Sequence, residues 1–200
     1  MSTGGVPTIA AGDFPWLSVA QMIEVDRIMI EDLGITLARM MENAGRGLAE
    51  LTRRLAGGTD GLSVAVLAGG GGNGGGGMVA ARHLINAGAR VVVHPAVDRP
   101  RMSPVAAQQA QILMTMGASF ADPTSRPLAA DWVLDALLGY SGRGAPRGAV
   151  ADLIRSAEGR RVIALDAPSG LDLESGELHE PHVCAEATLT LAAPKEGLAA

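Results

Sequence analysis

Residues 69–77 read Gly-Gly-Gly-Gly-Asn-Gly-Gly-Gly-Gly, eight glycines around Asn73. A short apolar run, Val64-Ala65-Val66-Leu67-Ala68, stands before them, and a helix is predicted from about Asn73 to Ala87. A buried strand that passes through glycines into a helix offers backbone N–H groups with no side chain in the way, at the positive end of the helix dipole. That is an anion site built from main chain. G-x-G-x-x-G matches in several registers, for example Gly69, Gly71 and Gly74. With so many glycines such a match carries little weight. No Lys-Ser/Thr pair follows, which excludes a P-loop. The end of the second strand, where a dinucleotide fold places a ribose-binding acid, holds His94, with Asp98 farther on.

The remaining pattern repeats the strand–helix unit. Ser18 with Gln21 reads as a capping box opening a helix that Gly34 ends, with Val19, Met22, Ile23, Ile30 and Leu33 as its apolar positions. Thr36 caps a second helix to about Leu55, and Gly57-Gly58 stops it. Val91-Val92-Val93 is a strand, Ser103-Pro104 opens a helix to Met116, and Ser119-Phe120-Ala121 is a short third strand. Trp132-Val133-Leu134-Asp135 and Val162-Ile163-Ala164-Leu165-Asp166 are strands ending in carboxylates, with a helix from Pro146 through Ala157 between them. Thr188-Leu189-Thr190-Leu191 is a last, alternating strand. Alternating strands and helices imply an α/β fold: a three-layer, Rossmann-like, mostly parallel sheet preceded by two helices. The apolar faces of those two helices suit either a dimer seam or core. Residues 1–17 read as a loose leader and 18–200 as one domain.

In such a sheet ligands bind beyond the carboxyl ends of the strands. Three segments converge there: the glycine run, Asp135 with the Gly139 loop, and Asp166-Ala167-Pro168-Ser169-Gly170. A carboxylate closing an apolar run is costly without a partner. Two of them at one ligand edge point to a cation site or to acid–base work. Ser169 adds a hydroxyl, and an all-oxygen set favours a hard cation over zinc.

The histidines, His83, His94, His179 and His182, form no H-x-x-H pair. Cys184 stands alone, so no internal disulfide framework or cysteine zinc site exists, and it reads as a small buried residue. There is no G-x-S-x-G nucleophile elbow. Net charge is −5, from 16 basic and 21 acidic residues, which argues against nucleic acid as partner. No apolar run reaches the ~18–20 residues that cross a bilayer. The first ten residues lack a secretory pattern, and a reducing cytoplasm fits. With five aromatic residues (Phe14, Trp16, Phe120, Trp132 and Tyr140), the core is built from aliphatic side chains and methionine.

Five segments in order resemble one family: Met41-Glu42-Asn43-Ala44-Gly45, the glycine run continuing into Met78–Leu84, Val133–Gly139, Ala164–Asp172, and Ala193-Pro194-Lys195-Glu196-Gly197. The chain is similar over about residues 18–198 to the YjeF N-terminal domain, the NAD(P)H-hydrate epimerase family. The resemblance implies a Rossmann-like fold, a homodimer, and interconversion of the R and S epimers of hydrated NADH or NADPH. It also implies a potassium ion, with Asn73, Asp135 and Ser169 as ligands. Substrate contacts would come from Gly72, Asn73, Gly74, Gly75 and Gly76, from Gly139, Tyr140, Ser141, Gly142, Arg143, Gly144 and Ala145, and from Asp166. A hydrate dehydratase, fused or separate, is the implied partner.

The hydrate carries a hydroxyl at C6 beside ring nitrogen N1. Loss of the hydroxyl leaves an iminium, and water returns to either face. Asp166 is the candidate carboxyl that donates and then accepts the proton, with the ion and Asp135 organising the phosphate-bearing loops; the opposite assignment of the two carboxylates and a ring-opening route stay open. The family loop reads G-x-G-N-N-G-G-D-G, and here Gly72 replaces the first Asn and Gly76 the Asp. Two readings follow. One is an active epimerase; the alternative is a catalytically impaired domain that binds a nucleotide-like ligand or a protein partner. An ordinary NAD-dependent oxidoreductase is a weaker third, because the ribose acid is missing.

Overall fold

The computed structural model describes residues 14–121 and 130–199. Most of the expected leader lies outside these residues. Six parallel strands run in the order β3-β2-β1-β4-β5-β6. They are β1 (Ser63–Ala68), β2 (Arg90–Pro95), β3 (Ser119–Phe120), β4 (Trp132–Ala136), β5 (Val162–Leu165) and β6 (Ala187–Leu189). The helices are α1 (Val19–Arg27), α2 (Leu37–Ala56), α3 (Gly72–Asn86), α4 (Pro104–Thr115) and α5 (Gly148–Ser156). β1 sorts its side chains by period two. Val64, Val66 and Ala68 pack with α2, α3 and α4 through Leu48, Met78, Leu84 and Leu113. Ala65 and Leu67 pack on the other face with Leu153 and Ile154 of α5. The three layers expected from the alternating pattern are therefore present.

Chain order reverses between β1 and β4, so the crevice beyond their carboxyl ends is the topological switch point. Both flanking turns carry the residues singled out above. The helix starts follow their caps: Ser18 and Gln21 form the reciprocal capping box, and Thr36 and Ser103 each accept a first-turn N–H. Gly57 closes α2 in the left-handed conformation at φ 75°.

Several local expectations are corrected. The first helix does not run regularly to Gly34: after Arg27 it widens into a π-helical turn, Ile28–Asp32. The Arg27 guanidinium gathers Glu24, Glu31 and Asp32 around this widening. Of its expected apolar face only Val19 and Met22 are buried; Ile23, Ile30 and Leu33 are exposed. α5 begins at Gly148 rather than Pro146. Cys184 is exposed, because the extended stretch around it turns Val183 inward instead. Leu17, assigned to the leader, pairs with Lys195 in a parallel bridge. Among the described residues no helix is long and apolar enough to cross a membrane.

Candidate active site at the strand-order switch

The glycine run is not one loop. Gly69–Gly71 make the turn, and Gly72–Gly77 are the first turns of α3. The reason is close packing. A Cβ on Gly69 would lie 2.0 Å from the Leu137 carbonyl oxygen, and one on Gly74 would lie 1.8 Å from the Gly69 carbonyl oxygen. Gly75 packs on Met41 and Gly76 on Leu165, so both face protein. Gly72 alone of the helical glycines 72–77 has open space where a side chain would stand. The first N–H groups of α3 are left without intrahelical partners and face the crevice end of the sheet.

Asn73 sits in that first turn and is fixed by two long-range hydrogen bonds. Its Nδ2 donates to the Leu138 carbonyl at 2.8 Å and to the Leu165 carbonyl at 3.1 Å. Oδ1 is thereby oriented, and it is buried without a hydrogen-bond partner. A buried acceptor left open marks a place for a ligand or cation.

Asp135 points from β4 into the interior and is fully buried. Oδ2 accepts from the Ser169 N–H at 2.7 Å; Oδ1 accepts from the Ser169 hydroxyl at 2.8 Å and the Leu137 N–H at 3.2 Å. The Ser169 hydroxyl also accepts from the Leu138 N–H at 3.1 Å. Burial pushes the Asp135 carboxyl up to about 6 despite these donors. The consequence for stability has a definite sign. Between its ordinary value near 4 and about 6, the folded state keeps a proton the unfolded state has lost. Stability from this group is complete below that window and is lost as pH rises through it, amounting to roughly 3 kcal/mol for two pK units. Denaturation midpoints in cation-poor buffer should fall from pH 4 to pH 7 by this contribution. Asp135→Asn should flatten the fall; an unchanged slope would refute the assignment.

Asp166 follows β5 with φ 70°, one of two non-glycine residues in the left-handed region among those described. The residue is 2% exposed. Oδ2 accepts the Tyr140 N–H at 2.8 Å, and Oδ1 accepts from Lys195 Nζ. Gly139 forms the wall: a Cβ there would stand 3.2 Å from Asp166 Oδ2 and 3.4 Å from Asn73 Cβ. The Tyr140 hydroxyl donates to Asp26 Oδ2 at 2.6 Å and so ties this loop to α1. Burial, with the Asp26 carboxylate beside it, holds that phenol well above its ordinary range.

Asn73, Asp135, Ser169, Asp166, Gly139 and Tyr140 therefore meet at one place. Ser141, Arg143, Gly144 and Ala145 lie outward on an exposed rim, with Gly142 half-buried among them. There Arg143 donates to the carbonyls of Tyr140 and Gly142 and pairs with Glu174. Lys195 was assigned no role by sequence reasoning, yet it is completely buried against Asp166. One signal was available: it is the sole lysine among 16 basic residues. His83 is half-buried and bonds Glu42 at 2.8 Å, and no group of three His, Cys, Asp or Glu gathers as a metal site among the described residues.

The fold defines a Rossmann-like α/β domain with two buried carboxylates, Asp135 and Asp166, at its switch point. Residues 37–197 match the family described as YjeF-related protein N-terminus, and the chain belongs to that family. It is 48% identical over 186 residues to the NAD(P)H-hydrate epimerase of Dehalogenimonas lykanthroporepellens, covering 91% of this chain and 76% of that protein. It is 36% identical to the NAD(P)H-hydrate epimerase of Rhodopirellula baltica, with coverages of 92% and 77%. Against the bifunctional NAD(P)H-hydrate repair enzyme Nnr of Hyperthermus butylicus identity is 40%, and the chain spans 33% of that protein's length. The crystal structure of yeast ynu0, YNL200c, superposes with a TM-score of 0.79 at 27% identity, covering 92% of this chain and 83% of the yeast chain.

Proposed function

We propose that this chain is an NAD(P)H-hydrate epimerase, interconverting the R and S hydrates of NADH and NADPH as a repair activity. The observation that carries this reading is Asp166. A buried carboxylate, held in a left-handed conformation, faces a glycine wall where a Rossmann-like sheet binds its ligands. The names of the relatives support the same assignment.

The substrate chemistry suits the residues. The first N–H groups of α3, beginning at Gly72, suit the anionic diphosphate. Gly139 and Tyr140 lie against the carboxylate. Asp166 passes a proton to the departing C6 hydroxyl and takes one back when water adds to the other face of the iminium. The oxygen donors of Asn73, Asp135 and Ser169 fit a hard monovalent cation, with the open Asn73 Oδ1 as the telling atom. Potassium held there would supply a positive charge that relieves the buried Asp135 carboxylate. A cytoplasmic homodimer belongs to the same reading.

The test is epimer exchange. One purified epimer of the NADH hydrate is incubated with the protein and potassium, and formation of the other is followed by chromatography. The expected result is exchange well above the uncatalysed rate. Exchange at the uncatalysed rate would overturn the reading and favour a binding domain. Potassium should also raise thermal stability by about 2.7 kcal/mol at a hundredfold excess over its Kd. Asp135→Asn should remove that increment.

A further inference from the structure

Every basic residue of the chain but one is arginine; the exception is Lys195. Its side chain is completely buried, as a charged residue seldom is. The ammonium has three acceptors for its three protons: Asp166 Oδ1, the Leu191 carbonyl at 2.8 Å and Thr190 Oγ1 at 3.3 Å. The turn that carries it is built for the purpose. Pro194 O accepts from Leu17 N–H at 2.9 Å, and Leu17 O accepts from Glu196 N–H at 3.1 Å, so Lys195 is fixed from both sides. The two left-handed non-glycine residues among those described are Asp166 and Ala192, one on each side of the pair. Strained backbone of this kind persists where surrounding structure enforces it and gathers at functional sites.

The residue type is informative. Arginine would pair with a carboxylate as well or better, but it does not release its proton; a buried lysine does so readily. The site therefore combines a charge partner for Asp166 with a proton that can move. Facing the carboxylate from the other side, among the described residues, are the Tyr140 N–H and, farther out, the phenol that Asp26 holds.

We propose that Lys195 is a positioning residue for the epimerisation, pinning Asp166 Oδ1 and holding the proton that Asp166 relays to the C6 oxygen. This rests on the epimerase reading. In the resting pair the proton is on nitrogen and the carboxyl is ionised. As the C6–O bond breaks, its electron pair stays on oxygen, which takes the relayed proton and leaves as water. The N1 lone pair forms the C6–N1 double bond. The pair is left as neutral amine and carboxylate beside the iminium cation. Water adding to the opposite face gives up a proton, which returns through Asp166 to Lys195.

The consequence is a pH profile. An isolated carboxyl acid loses activity tenfold per pH unit once it ionises, whereas in the pair the ammonium bonded to Asp166 Oδ1 stands behind it as the proton donor. Exchange by the wild type, corrected for the uncatalysed rate, should be flat from pH 6 to 8. Lys195→Met should lose about 100-fold or more in kcat at pH 8, retain more at pH 5, and leave KM unchanged. Lys195→Arg should not restore the rate at pH 8. A uniform loss with the wild-type profile in Lys195→Met, or full rescue by Lys195→Arg, would overturn the proposal and leave a packing role. Because there is a single lysine, protein labelled with ¹⁵N-lysine gives one Nζ signal, read in the wild type without any variant. That signal should be an ammonium at pH 7; a neutral amine would overturn the proposal. Wild-type exchange at the uncatalysed rate would instead remove the epimerase reading itself.

Discussion

Asp166→Asn is expected to abolish measurable epimer exchange, a loss of about 10²–10⁴-fold, the range for removing a positioned acid–base group. The amide cannot carry the proton to and from the C6 oxygen. The same change acts on stability, because it strands Lys195. A buried ammonium whose carboxylate partner has been removed costs about 3–5 kcal/mol. Lost activity alone would therefore be ambiguous between chemistry and unfolding. The double variant Asp166→Asn with Lys195→Met separates them. Removing both charges restores much of the stability, since a buried pair replaced by neutral groups of similar volume is often tolerated. It restores no exchange. Denaturation midpoints and exchange rates on the three proteins check this, and exchange in the double variant near the wild-type rate would refute the role of Asp166.

How much of this was legible in the sequence depends on whether the cause is local. The strand ends at Asp135 and Asp166 were legible because a carboxylate after an apolar run is unusual, and parallel topology sends strand ends to one edge. The caps Ser18, Thr36 and Ser103 were legible because the capping oxygen lies within three residues of the N–H it receives. Lys195 was different. Its own segment supplies the Leu191 carbonyl and Thr190 Oγ1, but the carboxylate partner Asp166 and the Leu17 bridge that fixes its turn lie far away in the chain. The exposed face of the first helix is another case. Ile23, Ile30 and Leu33 have helical spacing, but the π-helical turn shifts the register of Ile30 and Leu33, and α1 packs through Val19 and Met22 while Ile23 stays exposed. The glycine run was legible as a turn before a helix. Its second half was read as helix from about Asn73, as observed; that the packing requires glycine there could not be read, because the contacts that require it lie on Leu137, Met41 and Leu165.

Those contacts lead to a prediction with opposite signs on one helix. Gly74→Ala should destabilise the fold by about 3 kcal/mol or more, the upper range for overpacking. Its Cβ would lie 1.8 Å from the Gly69 carbonyl oxygen and 2.5 Å from the carbonyl carbon, both backbone atoms of the turn after β1. A side chain could rotate away; a carbonyl in this turn cannot. Relief requires α3 to slide, yet Gly74 through Ala81 are all buried between sheet and neighbouring helices. Sliding would also draw Asn73 from the Leu138 and Leu165 carbonyls that orient it. Gly72→Ala, two residues earlier, adds the same methyl group into open space. It should stabilise by about 0.4–1 kcal/mol, because alanine at a compatible position narrows the unfolded ensemble. Urea denaturation of both variants decides the matter. Similar midpoints would mean that α3 does not rest on the Gly69 turn, and the run would then be a loose glycine loop. A wide separation would mean that the glycines are packing residues, so that the loop's two departures differ in kind. A side chain at Gly72 enters free space, whereas one at Gly76 must displace Leu165, 2.8 Å from its Cβ.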